Sequence, residues 1–147
     1  TPALLGEGIT AISFTKRVNP EQRVLLKRIM ATIGEVVEVP ESQQNAVTGL
    51  SGSGPAYIYT VIQGLIKGGV RAGLSPELAF KLATQTALGA ARMAKESDSS
   101  LEELRQAVAS PGGTTIEGLK VLNEGRLEEC LAEAVVKATQ RAKELNK

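Results

Sequence analysis

Histidine and tryptophan are absent from this chain, and cysteine occurs once. Without histidine there is no Ser-His or Cys-His nucleophile pair and no imidazole to move protons. Any proton transfer then falls to hydroxyls, carboxylates, lysines or water. A single cysteine excludes an intramolecular disulfide, and with no histidine beside it no zinc or other metal site is expected. Excess charge is lacking too: 17 Lys and Arg against 16 Asp and Glu leave a formal net charge of +1, with no basic cluster. Binding of nucleic acid through phosphate neutralisation is therefore not expected. No apolar run approaches membrane-spanning length and no signal peptide is seen, so the expected setting is the soluble cytoplasm, with no membrane partner. Aromatic residues are few, two Phe and two Tyr. The core must be built from Leu, Ile, Val, Ala and Gly, and such small residues let helices approach closely. The 147 residues allow one domain, or one and a fraction. The first residue is Thr1 and not an initiator methionine, which reads as a fragment of a longer protein.

What is present falls into two parts. Ile9 to Phe14 reads as a short strand. Asn19-Pro20-Glu21-Gln22 is a helix start, with Asn19 as N-cap and Pro20 in the first helical position. Leu26, Ile29, Met30 and Ile33 share one face of that helix, which is expected to stop at Gly34. Val36, Val37 and Val39 form a β-branched run ended by Pro40. A strand–helix–strand unit cannot by itself make a sheet covered on both faces, so it looks like the tail of a larger α/β domain. Its strands would offer unpaired edges, and they are expected to pair with each other or with another copy, or to be the least ordered part of the chain.

From Glu41 onward the pattern is helical. A short helix or turn spans Gln43 to Leu50, and a long helix runs from about Pro55 to Arg71, weakened by Gly64, Gly68 and Gly69. Ser75-Pro76-Glu77 opens an Ala-rich helix reaching about Glu96. Ser100 and Glu103 form a capping box for a short helix to about Val108. One further helix runs from Thr115 to about Asn123. The last carries Leu127, Cys130, Leu131, Ala134, Val135, Ala138, Ala142 and Leu145 as one apolar stripe, on which Cys130 reads as a buried core residue. The fold class is mainly α, preceded by the strand–helix–strand unit.

Two side-chain-poor segments stand out. Ser110-Pro111-Gly112-Gly113-Thr114-Thr115 is a fixed loop running into a helix. Thr114-x-x-Glu117 reads as a capping box, which places Thr115 in the first turn, where backbone N–H groups lack partners and the helix dipole is positive. The result is a small anion site with a hydroxyl beside it, suited to a carboxylate-bearing small molecule. In the plainer reading Thr114 is only a structural cap and Ser110 only steadies the turn. Ser51-Gly52-Ser53-Gly54-Pro55 is either a flexible linker or an ordered helix start, with Pro55 at the first position and Ser53 or Gly54 at the cap. It is no dinucleotide fingerprint, since Gly52-x-Gly54 lacks the third glycine and no strand precedes it.

In these residues the chain resembles the pyrroline-5-carboxylate reductase family. The blocks that carry the resemblance are Thr1-Pro2-Ala3-Leu4 with Gly6 and Gly8; Ala46-Val47-Thr48-Gly49-Leu50 running into Ser51-Gly52-Ser53-Gly54-Pro55-Ala56-Tyr57; Leu88-Gly89-Ala90-Ala91; and Ser110 to Thr115 with Gly118-Leu119. The resemblance implies a Rossmann-type α/β domain, of which residues 1–41 are the C-terminal remnant, and an all-helical dimerisation and substrate-binding domain over residues 42–147. It implies reduction of the cyclic imine 1-pyrroline-5-carboxylate to proline by NADPH or NADH, the last step of proline biosynthesis. The substrate carboxylate would lie at Ser110, Pro111, Gly112, Gly113 and Thr114, the Thr115 hydroxyl at the ring nitrogen, and Ser51, Gly52, Ser53, Gly54 and Pro55 near the nicotinamide. The family forms homodimers, some of which assemble further. With most of the Rossmann domain missing, this chain alone is expected to bind no cofactor and to be inactive. Two other readings stay open: a related imine or hydroxyacid reductase, and a non-catalytic helical dimerisation module.

Overall fold

The computed structural model describes residues 1–146. They form two compact units, one of Thr1–Tyr57 with the stretch from Leu131 onward, the other of Ile58–Cys130.

In the first unit, strand β1 (Gly8–Ile12) is followed by helix α1 (Pro20–Met30) and strand β2 (Gly34–Glu38). The two strands pair with each other in parallel, Gly8 opposite Gly34 and Ile12 opposite Glu38. Asn19 caps α1 as its sequence requires: its side chain accepts the Gln22 amide at 2.9 Å, and the Gln22 side chain accepts the Asn19 amide at 3.1 Å. The helix ends sooner than the apolar pattern suggests. A 3₁₀ turn takes over at Ala31–Ile33, and Gly34 opens β2 instead of merely ending the helix. Only glycine fits there, because φ is +143° and a Cβ would lie 2.0 Å from the Gly8 carbonyl oxygen. At the other end of the ladder Lys27 donates to Glu38 at 2.7 Å and Arg23 donates to it at 3.3 Å, while the Arg23 guanidinium sits 4.9 Å over the Phe14 ring. The Lys27 hydrogen bond, helped by the nearby positive charges, holds the Glu38 carboxyl below its ordinary value.

Helix α2 (Gln44–Val47) continues directly into a π-turn at Thr48–Gly52, and helix α3 (Gly54–Arg71) follows. Gln44 reaches back to the strands, donating to the Ser13 hydroxyl at 2.7 Å, and Ser13 in turn donates to the Val39 carbonyl at 2.8 Å. The C-terminal helix α7 (Leu127–Leu145) packs against the π-turn at Gly49. A Cβ on Gly49 would lie 2.2 Å from Thr139 Oγ1 and 2.8 Å from the Val135 carbonyl oxygen, so the two backbones touch only because that side chain is absent.

The second unit holds the rest of α3, helix α4 (Pro76–Glu96), helix α5 (Leu101–Ala107), helix α6 (Thr114–Glu124) and the start of α7. Ser75 caps α4 through the Leu78 amide at 3.2 Å, and Ser100 caps α5 in a complete box with Glu103. Gly69 of α3 lies against α4, where a Cβ would come within 3.2 Å of the Ala79 Cβ. Cys130 departs from the sequence reading. It is exposed, because the face of the apolar stripe that it occupies is left uncovered at the start of α7.

Very little of the chain is fully covered. Among the described residues the buried apolar side chains are Ala79, Ala83 and Ala142, while Phe80, Leu88, Met93, Val121 and Val136 all keep more than half of their surface exposed. The accessible area is 11427 Å² for 15.4 kDa. A compact protein of that mass exposes about 7,200 Å², and two separate globules of half the mass about 8,700 Å² together.

Candidate functional site

The Ser110–Thr115 loop lies in the second unit, between α5 and α6. Gly112, at φ +71°, turns the chain so that the Gly113 amide donates back to the Ser110 carbonyl at 2.9 Å. A Cβ on Gly113 would meet that same oxygen at 2.9 Å, so a side chain is disfavoured there as well. This tight turn moves the helix start. Gly113 has the extended N-cap conformation (φ −79°, ψ 165°), Thr114 and Thr115 are the first two residues of α6, and no side chain caps the helix. The capping box read from Thr114 and Glu117 is thus not formed, and Glu117 instead accepts from Lys120 at 2.7 Å. The first-turn N–H groups carry no capping side chain, and the dipole of an 11-residue helix points at them. Among the described residues the Ser110, Thr114 and Thr115 hydroxyls make no side-chain hydrogen bond. Thr114 is exposed, while Thr115 is half-buried beside Ile116. An open groove of about 260 Å³ between α5 and α6 is lined by Arg105, Ile116 and Lys120 among others, but by none of the loop residues. The loop itself is a bare, open face.

The Ser51–Pro55 segment belongs to the first unit, as the end of the π-turn and the first two residues of α3. It is neither a flexible linker nor an extended cap. Ser53 has helical dihedrals (φ −85°, ψ −22°), and its amide reaches five residues back to the Thr48 carbonyl at 2.9 Å. Two hydroxyls in the turn are spent on its own backbone: Thr48 donates to the Gln44 carbonyl and Ser51 to the Val47 carbonyl, each at 3.0 Å. Gly52 is exposed, and a Cβ there would meet nothing nearer than 3.7 Å. A flat ring can therefore come close to this backbone. Two residues that a cap-centred reading passes over complete the segment, Gly49 on α7 and Tyr57, whose hydroxyl donates to the Gly49 carbonyl at 3.3 Å and the Ala134 carbonyl at 3.4 Å. Tyr57 is one of only two tyrosines in the chain, a scarcity that could have drawn attention to it.

With this geometry in view, similarity to known proteins becomes informative. The family model described as pyrroline-5-carboxylate reductase dimerisation matches residues 41–145. The chain belongs to the pyrroline-5-carboxylate reductase dimerisation family. Both side-chain-poor segments fall inside the matched span of this dimerisation domain. Among curated relatives, a pyrroline-5-carboxylate reductase of Synechocystis is 48% identical over 147 residues, which is all of this chain and 55% of the relative. Among solved structures, a pyrroline-5-carboxylate reductase of Coxiella burnetii aligns with a TM-score of 0.95 at 43% identity, over 100% of this chain and 55% of that one. A Plasmodium falciparum pyrroline carboxylate reductase with NADP bound aligns with a TM-score of 0.93 at 35% identity, over 99% of this chain and 59% of that one. The chain thus spans little more than half the length of these relatives. Among the described residues no group of three or more His, Cys, Asp or Glu side chains could hold a metal ion, and no helix is long and apolar enough to cross a membrane.

Proposed function

We propose that this chain supplies the substrate-binding part of an NADPH- or NADH-dependent reductase that converts 1-pyrroline-5-carboxylate to proline. The observation that carries the reading is the 48% identity to a named reductase along all 147 residues, combined with an uncapped helix start that ends in a free hydroxyl. The substrate has two polar features, a carboxylate and a ring nitrogen. The carboxylate docks on the first-turn N–H groups of α6, with Ser110, Pro111, Gly112, Gly113 and Thr114 forming its cradle. The Thr115 hydroxyl donates a hydrogen bond to the ring nitrogen. Reduction adds a hydride to the imine carbon and a proton to the nitrogen, so the site needs a donor at nitrogen and no strong base. That requirement is compatible with a chain free of histidine.

The residues present fit one end of the cofactor only. The Ser51–Pro55 segment offers an open, side-chain-poor backbone at Gly52 for the nicotinamide. The glycine fingerprint that receives a dinucleotide pyrophosphate is not in this sequence. The nicotinamide, when bound, supplies the hydride; the chain's own part is to hold the imine and polarise it. Residues 1–41 then belong with the dinucleotide-binding domain and residues 42–147 with the helical domain. We further propose that the helical domain is a homodimer. The support is the area excess over even two separate globules and the dimerisation family to which the chain belongs.

The test is a steady-state assay of the whole protein across cyclic imines and 2-hydroxyacids with either nicotinamide cofactor. Turnover of the carboxylated five-membered imine above all others is expected. Preference for a hydroxyacid, or no turnover of any imine, would contradict it.

A further inference from the structure

We propose that Tyr57 is a positioning residue for the Ser51–Gly54 segment: its hydroxyl ties the π-turn to α7 and so fixes where Gly52 and Ser53 stand. This rests on the reading of that segment as the nicotinamide end of the site. A π-turn is a widened helical turn that neighbouring structure has to hold in place. Here two of the holding bonds are local, Thr48 to Gln44 and Ser51 to Val47, and they follow the turn wherever it goes. Tyr57 is different. Its one hydroxyl proton is shared between Gly49 of the π-turn at 3.3 Å and Ala134 at 3.4 Å, 77 residues away on α7. Both distances are long for a hydroxyl donor, as a shared proton requires. The bond lies at the spot where Gly49 already brings the turn against the Val135 carbonyl and Thr139. Steric fit sets how closely the turn approaches α7, and the Tyr57 hydroxyl sets its register there. Ser51 has spent its hydroxyl proton on Val47, so the side-chain donor left to the segment is the Ser53 hydroxyl.

The experiment is Tyr57→Phe in the whole protein, which keeps the ring and removes only the hydroxyl. Hydrogen exchange of the peptide covering residues 48–54 and steady-state kinetics are measured together. Exchange in that peptide should accelerate about fivefold, the equivalent of one neutral hydrogen bond, with α4 unchanged. The KM for the nicotinamide cofactor should rise by a similar factor, while kcat and the KM for the imine stay within about twofold, since the turn shifts without losing a contact to the imine. A purely structural role would lower the active fraction and leave both KM values alone. Unchanged exchange overturns the clamp outright. Faster exchange with an unchanged cofactor KM overturns its link to the cofactor, and Gly52→Leu then locates the fault. If that side chain raises the cofactor KM, the segment still reads the nicotinamide and only the Tyr57 assignment falls. If it does not, the reading of residues 51–55 falls as well.

Discussion

Dilution is the perturbation that bears most directly on the proposed dimer. The chain exposes 11427 Å², about 2,700 Å² more than two independent globules of half its mass would expose. A standard interface buries about 800 Å² on each partner, so a second copy covering that excess places the dimer among obligate ones. Folding and association are then one event, and no stable folded monomer exists to populate the dilute state. The size of the effect follows from chain length. Two chains of 147 residues unfold with an enthalpy of about 200 kcal/mol at 0.7 kcal/mol per residue. A transition from one folded dimer to two unfolded chains should then move its midpoint by about 2–3 °C for each tenfold change in concentration. Sedimentation velocity and thermal melts on this chain from 0.1 to 10 μM, a range of about 4–6 °C in midpoint, make the test. A folded monomer at micromolar concentration, with a midpoint independent of dilution, would rule out the obligate dimer.

Two local predictions come from single positions. Gly34→Ala should melt the β1–β2 pair, because its Cβ would lie 2.0 Å from the Gly8 carbonyl oxygen in a backbone conformation that side chains avoid; amides of Ile9–Ile12 should lose exchange protection while α4 keeps its own. At α5, the Ser100 amide and hydroxyl both donate to Glu103, at 2.7 and 2.8 Å, and hold its carboxyl below the ordinary value. The folded form is the one with the depressed pKa, so the stabilisation is present above the ordinary glutamate range and is lost as pH falls through the lower folded value. Fraying of α5, followed by amide exchange, should therefore grow on acidification in the wild type, and Glu103→Gln, which removes the titrating carboxyl, should abolish that pH dependence.

How far the fold is legible from sequence depends on whether the deciding contact is local. The caps at Asn19, Ser75 and Ser100 could be read because donor and acceptor are three residues apart and need nothing else. Thr114 and Glu117 show the same spacing, yet the turn upstream decides the outcome. Gly112 at positive φ closes the loop so that Gly113 takes the cap conformation, one residue before the pattern places it. The π-turn escapes sequence reading for a different reason. Ser-Gly-Ser-Gly-Pro is a breaker pattern, and what winds it into a helix is a seat against α7 some ninety residues further along the chain. Cys130 fails likewise: its period places it on an apolar stripe, but periodicity alone cannot say which turns of that stripe are covered. The side-chain-poor run into α6 is legible in the Ser110–Thr115 sequence, while the place of the cap is not, because the turn at Gly112 decides it.

The part proposed for the Thr115 hydroxyl, polarising the imine nitrogen, is tested by the kcat of Thr115→Ala against that of Thr114→Ala in the whole protein. Thr115 is half-buried in the first turn and Thr114 is exposed and caps nothing, so both variants should stay within about 0.5 kcal/mol of wild-type stability by thermal melt. Loss of one hydrogen bond to a charging nitrogen costs about 1.5–3 kcal/mol, so Thr115→Ala should lower kcat by about ten- to a hundredfold, while Thr114→Ala, in the carboxylate cradle, should act mainly on the KM for the imine and lower kcat by less. Wild-type turnover in Thr115→Ala, with the protein folded, would contradict the claim and leave the loop as an anion cradle without a part in the chemistry.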